Sequence, residues 1–327
     1  MHTDEIRTIV DRLAALVNEQ YVFPEVGREV ADRLTTAAAD GKYDGLTDPE
    51  QLSVQVTADL QIGNQDKHLR LKFHRGEVPD ETDPVEEEHY WATRARLDAG
   101  GVGRVERLPG NIGLLGIKPL LFDPSHGGAA VTAAMSLLAA TDALILDLRE
   151  CLGGSPEQVA FVCSHLFDGE PVHLNDLVTP ATGAVRQFWT HHVPGPRFGG
   201  SKPIWVLTSG STFSGGEELT YDLQQLGRAK VVGERTGGGA HPREGFKLHS
   251  HLEATIPIMR AINPVSGTNW EGAGITPDLE VPATDAYAVA HREAVEHVLA
   301  LPATPERLGV LDEARAALDL SLAPAAG

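Results

Sequence analysis

The sequence predicts an α/β fold with parallel strands at its centre, preceded by a small helical unit. Three observations carry this reading. After residue 104, short apolar runs alternate with helical stretches, the pattern of strands joined by crossover helices. Over residues 1–65 the apolar side chains recur at helical spacing. From Lys67 to Phe73 the period changes to two.

Taken in order, Ile6, Ile9, Val10, Leu13, Leu16 and Val17 form the apolar stripe of a first helix, and Val26, Val30, Leu34 and Ala38 that of a second after Pro24. A third helix is expected from Thr47-Asp48-Pro49-Glu50, with Thr47 as cap, Pro49 in the first turn and Glu50 closing a capping box; it carries Leu52, Val56 and Leu60. Leu69, Leu71 and Phe73 then face one way while His68, Arg70 and Lys72 face the other, as in a half-buried strand. Residues 77–103 turn acidic and glycine-rich and read as a linker or cover. Beyond them come the strands NIGLLGI, ALILDL, PIWVLT and AKVVG, with helices across 127–140, after Ser155-Pro156 and after Ser214. Late strands at 245–260 and 279–281 and a helical tail from about residue 285 complete the chain.

Bulk composition narrows the function classes. The 327 residues are enough for about two domains at roughly 150 residues each. Hydrophobic residues at 42% and charged residues at 22% exclude disorder and coiled coil as defaults. A net charge of −19 repels phosphate backbones and anionic lipid, so nucleic acid and membrane partners are not expected. Cys151 and Cys163 do not make a disulfide framework. Charges at Asp4, Glu5, Arg7, Asp11 and Arg12 interrupt any signal-peptide apolar run, and no stretch has the ~20 apolar residues of a membrane span, so a cytoplasmic location is expected.

Two strand-to-helix turns look alike: ALILDLR-ECLGGSPEQ at 143–158 and PIWVLTS-GSTFSGGEEL at 203–219. Each places glycine-rich backbone at the carboxyl end of a buried strand, where open α/β sheets bind ligands. Ser214, followed by Gly215, Gly216 and Glu217, would hold its hydroxyl near free helix N–H groups and the positive end of the helix dipole, a setting that stabilises an oxyanion. The same residue also fits an ordinary N-cap, and no GxSxG elbow is present. Histidines at 126, 191, 192, 241, 249 and 251 have no HExxH or CxxC companion, so neither a metal centre nor another cofactor is expected. His241, just after Gly237-Gly238-Gly239, is a candidate to line the site.

The stretch SGSTFSGGEELTYDLQQLGRAKVVGERTGGG at 209–239 resembles the nucleophile segment of the S41 peptidases, the tail-specific and C-terminal processing proteases; DLRECLGG at 147–154 resembles their DLRxNxGG element. The likeness is nearest to the bacterial relatives of interphotoreceptor retinoid-binding protein and to the tricorn-like branch. It implies a crotonase/ClpP-like β-α spiral catalytic domain, with Ser214 as nucleophile and the N–H groups of Gly215 and of Gly153 or Gly154 as oxyanion donors. The lysine that activates serine in the tail-specific branch is missing, Gly239 standing at its place. Instead, Asp66-Lys67-His68 resembles the Asp-x-His segment of the Ser/His/Glu branch, and Glu271 before Gly-Ala-Gly-Ile-Thr-Pro-Asp resembles that branch's glutamate. Taken alone, His68 reads more readily as a solvated strand histidine and Glu271 as a turn carboxylate; the catalytic reading rests on Ser214, His68 and Glu271 jointly. Cys151 stands where the family has Asn, a thiol in place of a two-sided amide, and is a candidate second nucleophile or lining residue, as Glu217 is a candidate lining residue.

The resulting expectation is a helical domain with the His68 strand over 1–76, a linker over 77–103, an S41-like catalytic domain over 104–285 and a helical tail over 286–327. The linker is too short for a PDZ module, which needs ~50 residues. The expected activity is peptide or amide hydrolysis through an acyl-enzyme on Ser214. The alternatives are carriage of a retinoid- or fatty-acid-like apolar ligand, and hydrolysis of a small-molecule ester or amide. Association into a homo-oligomer is left open.

Overall fold

The structure, a computed structural model, describes residues 1–79 and 83–322. The chain opens with helices α1 (Thr3–Gln20), α2 (Pro24–Ala39) and α3 (Pro49–Leu60), then strand β1 (Arg70–Phe73) and helix α4 (Pro84–Leu97). There follow β2 (Val102–Leu108), β3 (Ile112–Ile117), α5 (Pro124–Leu138), β4 (Ala143–Asp147), α6 (Pro156–Leu166), β5 (His173–Thr179), β6 (Ala184–Trp189) and β7 (Ile204–Thr208). Helix α7 (Gly215–Gln225), β8 (Lys230–Gly233), β9 (Arg243–His249), β10 (Leu252–Pro257), β11 (Arg260–Ile262), β12 (Leu279–Glu280), α8 (Ala283–Ala300) and α9 (Leu308–Leu322) complete the order.

Two compact units result. The first joins Met1–Glu87 with Asp176–Arg186 and Gly239–Ile262; the second joins Glu88–Asn175 with Gln187–Gly238 and Asn263–Gly327. Two segments read from the sequence as part of the α/β domain thus pack with the amino-terminal helices. The physical reason is pairing at long range: β1 lies antiparallel on β10, Leu71 opposite Ala254, and β10 pairs with β9.

In the first unit the apolar stripes expected of the helices are buried together. Ile6, Leu13 and Val17 of α1, Leu34 of α2, and Leu52, Val56 and Leu60 of α3 meet Leu69, Leu252, Ala254 and Ile256 in one core. Each Val, Leu or Ile side chain among them, fully buried, is worth about 1.5–3 kcal/mol. Asp48, rather than Thr47, caps α3: its Oδ1 accepts the Glu50 N–H at 3.0 Å, with Pro49 in the first turn. In a separate sheet, Asp176–Val178 of β5 pair antiparallel with β11.

The second unit is built on a sheet of order β12-β8-β7-β4-β3-β2 among the described residues. β3, β4, β7, β8 and β12 run parallel, and β2 closes the edge antiparallel. One sheet face, with Ile112, Leu114, Ile145, Leu207 and Val232, packs on Ala286, Ala290, Ala294 and Val298 of α8 and Ala314 of α9. Small residues on α8 let the helix approach the strands closely.

The stretch read as a linker contains α4. Only Ala95 is buried in it, so no apolar period announces the helix. Charge supports it instead: Glu86 and Glu87 lie in the first turn and Arg94 and Arg96 in the last, matching the helix dipole, and Asp83 accepts the Val85 N–H at 2.9 Å. No helix among the described residues is long and apolar enough to cross a membrane.

Candidate active site

β4 and β7 are neighbours in the sheet, so the turns that follow them lie side by side at its carboxyl end. The two turns are stitched together. The Phe213 N–H donates to the Cys151 carbonyl at 3.0 Å, the Thr212 hydroxyl to the Leu148 carbonyl at 2.9 Å, and the Ser209 hydroxyl to the Arg149 carbonyl at 2.6 Å.

Ser214 ends the second turn as the N-cap of α7, with φ 48° and ψ −121°. Positive φ is uncommon for a residue with a Cβ and carries about 1–3 kcal/mol of strain, which surrounding structure must hold. A serine kept on a sharp, strained strand-to-helix turn is the geometry of a nucleophile elbow, here without the GxSxG sequence. The first N–H groups of α7, beginning with Gly215, have no intrahelical partner and carry the positive end of the dipole.

The glycines of the first turn are dictated by close neighbours, Gly153 by Ser214 and Gly154 by the Leu121 backbone. Gly153 has φ 127°, and a Cβ there would lie 2.8 Å from the Ser214 Cβ. Gly154 has φ 134°, and a Cβ there would collide with the Leu121 carbonyl. Only glycine permits that backbone and that approach. Ser214, Gly215, Gly153 and Gly154 are therefore brought together within the second unit.

Glu217 braces the elbow. Fully buried, it accepts the Ser214 N–H at 2.9 Å on Oε2, and the Thr236 hydroxyl at 2.5 Å and the Gly238 N–H at 2.7 Å on Oε1. The brace extends toward Glu271: the Gly272 N–H donates to the Gly238 carbonyl at 3.1 Å, and the Ile275 N–H to the Thr236 hydroxyl at 2.8 Å. Glu271 is half-buried on this loop, its own N–H donating to Asn269 Oδ1 at 3.0 Å.

Cys151 is fully buried, and burial pushes its thiol up to about 11. At neutral pH it is a thiol under the turn, in a setting opposite to the exposed, electropositive one that a nucleophilic cysteine needs.

His68 and His241 belong to the first unit. His68 is half-buried at the entrance to β1, and desolvation pushes its imidazole down to about 4, against the pull of Asp66. Its main chain is clamped on both sides: Asp66 Oδ1 accepts its N–H at 3.0 Å, and the Thr255 hydroxyl donates to its carbonyl at 2.7 Å. His241, buried and set edge-on to Phe23 at 5.3 Å, is 3.1 Å through Nδ1 from Asp66 Oδ2, which also accepts the Tyr21 hydroxyl at 2.9 Å. Burial would raise the Asp66 carboxyl, but the hydrogen bonds from His241, Tyr21 and the His68 N–H outweigh it and hold it below the usual range.

Sequence reasoning missed Tyr21, which lies between two helices with no motif around it. It also missed Glu218 and Asp222 on the buried side of α7, where Asn175 donates to Glu218 at 3.0 Å and Asn263 to Asp222 at 3.2 Å. Burial pushes Glu218 up to about 7 and Asp222 well above the carboxylate range. Asn263 Oδ1 accepts the N–H groups of Val265 and Ser266 at 3.0 and 3.2 Å, so this buried pair also anchors the loop leading to Glu271.

A parallel sheet that holds a serine on a strained elbow, with glycine amides at the same sheet end, has the parts that serine hydrolases use. Residues 111–281 match the model of peptidase family S41, and residues 2–95 match that of the N-terminal domain of peptidase S41 in eukaryotic IRBP. The chain belongs to peptidase family S41 and is a serine-type peptidase, with a peptide as its class of substrate. Among solved structures it is similar to mature CPAF, at 13% identity over 98% of this chain and 99% of that one, with a TM-score of 0.59. It is similar to the photosystem II D1 C-terminal processing protease at 15% identity, 85% and 93% coverage and a TM-score of 0.50. For the tricorn protease the values are 14%, 88% and 35%, with a TM-score of 0.54. At these identities the likeness is one of fold: mixed α/β with a central sheet and an amino-terminal helical domain.

Proposed function

We propose that the chain cleaves peptide bonds by acyl transfer through Ser214, with His68 as general base and acid, Glu271 orienting His68, and the N–H groups of Gly215 and of Gly153 or Gly154 as oxyanion donors. The observation that carries this reading is the strained backbone of Ser214 at the head of α7, packed against two glycines of obligatory conformation. A cap alone has no need of that strain.

The roles follow from the chemistry. A serine hydroxyl needs a nearby base, and a neutral imidazole is the one available at neutral pH. Desolvation supports the neutral form of His68. As Ser214 Oγ forms its bond to the substrate carbonyl carbon, its proton passes to His68 and the carbonyl oxygen becomes an oxyanion facing the glycine amides. His68 then protonates the departing amine, and water hydrolyses the ester by the same route. Glu271 would steady the charged imidazole. The family's tail-specific lysine has no counterpart at Gly239, which supports the Ser/His/Glu assignment.

The test is turnover of a mixed peptide library by the wild type and by Ser214→Ala. Loss of all cleavage, with an unchanged melting temperature, is expected; cleavage retained by the variant ends the proposal.

A further inference from the structure

The buried Tyr21, Asp66 and His241 cluster has no part in the reaction as set out above. Asp66 is 1% exposed, yet it accepts bonds from the Tyr21 hydroxyl, from His241 Nδ1 and from the His68 N–H. A carboxylate can only accept here, so the His241 ring turns a proton on Nδ1 toward Asp66 Oδ2. Three donors converging on one buried carboxylate favour its ionised form.

We propose that Asp66 is a positioning residue for acyl transfer: it fixes the main chain of His68 and keeps an anion two residues from the imidazole that must become positively charged. Tyr21 and His241 hold that anion in place. This rests on the reading of His68 as the base. The charged and titratable groups that act on the His68 imidazole include Asp66, which favours its protonated form, and Arg70, Arg243 and His241, which oppose it. Asp66 thus works against the burial and the two arginines that make the imidazolium costly, and Tyr21 and His241 serve by holding Asp66 in place.

The test uses the full chain and a fluorophosphonate probe, with labelling rate followed against pH and probe concentration for the wild type, Asp66→Asn, Tyr21→Phe and His68→Ala. In Asp66→Asn the maximal labelling rate should fall about 10- to 100-fold, part of the 10²–10⁴ that proton transfer supplies. The half-saturating probe concentration should stay within about twofold, and the acid limb should move to lower pH, because the imidazolium has lost an anion. Tyr21→Phe leaves the charge and removes one donor, so a loss of about threefold or more is expected with the limb unmoved; should Asp66→Asn fail to fold, this variant decides, and wild-type labelling by it overturns the proposal. Folded Asp66→Asn with an unmoved acid limb, at whatever rate, also overturns it. Wild-type labelling by His68→Ala overturns instead the underlying assignment of the base.

Discussion

The serine turn and the histidine turn are built by opposite means. Ser214 is placed mainly by backbone: a strained φ, glycines at Gly153 and Gly154 that admit no side chain, and the Phe213-to-Cys151 main-chain bond between two turns, with the Glu217 carboxylate as a side-chain brace on its N–H. His68 is placed by side chains: Asp66 on its N–H, Thr255 on its carbonyl, Tyr21 and His241 behind the carboxylate. A site made of backbone fails when volume is added, whereas one made of buried hydrogen bonds fails when charge or a donor is removed.

The sharpest contrast comes from adding one methyl group. Gly153→Ala should lower kcat by about 10²-fold or more, because the new Cβ meets Ser214 and displaces an oxyanion donor; near-normal turnover would show that the turn does not supply that donor. On the side-chain brace, Glu217→Gln should cost about 1.5–3 kcal/mol, the worth of a hydrogen bond to a charged group. Denaturant unfolding measures that loss, and kcat should fall with it because Ser214 loses its support. An unchanged unfolding midpoint would mean the elbow holds itself.

Titration gives a smaller, graded effect. His165 on α6 is fully buried, and burial pushes it down to about 4. Its folded value lies below the unfolded one, so the unfolded chain takes up the proton first and stability falls as pH drops from about 6.5 to 4, by at most roughly 1.4 kcal/mol per pH unit. Glu218 acts the other way: raised to about 7, it keeps its proton in the folded state, and stability falls as pH rises from about 4.5 toward 7. The two windows overlap, so the informative quantity is the difference between wild type and His165→Leu, which should shrink toward acid pH. A difference constant between pH 4 and 7 would contradict the assignment. The smallest effect belongs to Cys151: with a buried thiol held near 11, native protein should lose no activity to iodoacetamide at pH 7.

The same contrast explains what could be read from the chain itself. The helical stripes of α1, α2 and α3 and the apolar runs of β3, β4 and β7 have strong local periods, and those elements are where the pattern put them. The S41 motifs located both glycine turns. The elbow conformation of Ser214 was not legible, since no GxSxG pattern marks the turn and Gly153, beside it in the fold, is 61 positions away. α4 escaped because charge, not apolar spacing, holds it. Joining β9 and β10 to the first three helices depends on a pairing across about 180 residues, such as Leu71 with Ala254, and no local signal encodes it. Tyr21 was invisible for the same reason: its partner Asp66 is 45 positions away.

Mapping the fluorophosphonate adduct by peptide mass spectrometry tests the central claim most directly. One adduct on Ser214 in the wild type, at least 10²-fold slower to form in His68→Ala, is the predicted result. An adduct on another residue, or labelling of His68→Ala at the wild-type rate, would contradict it.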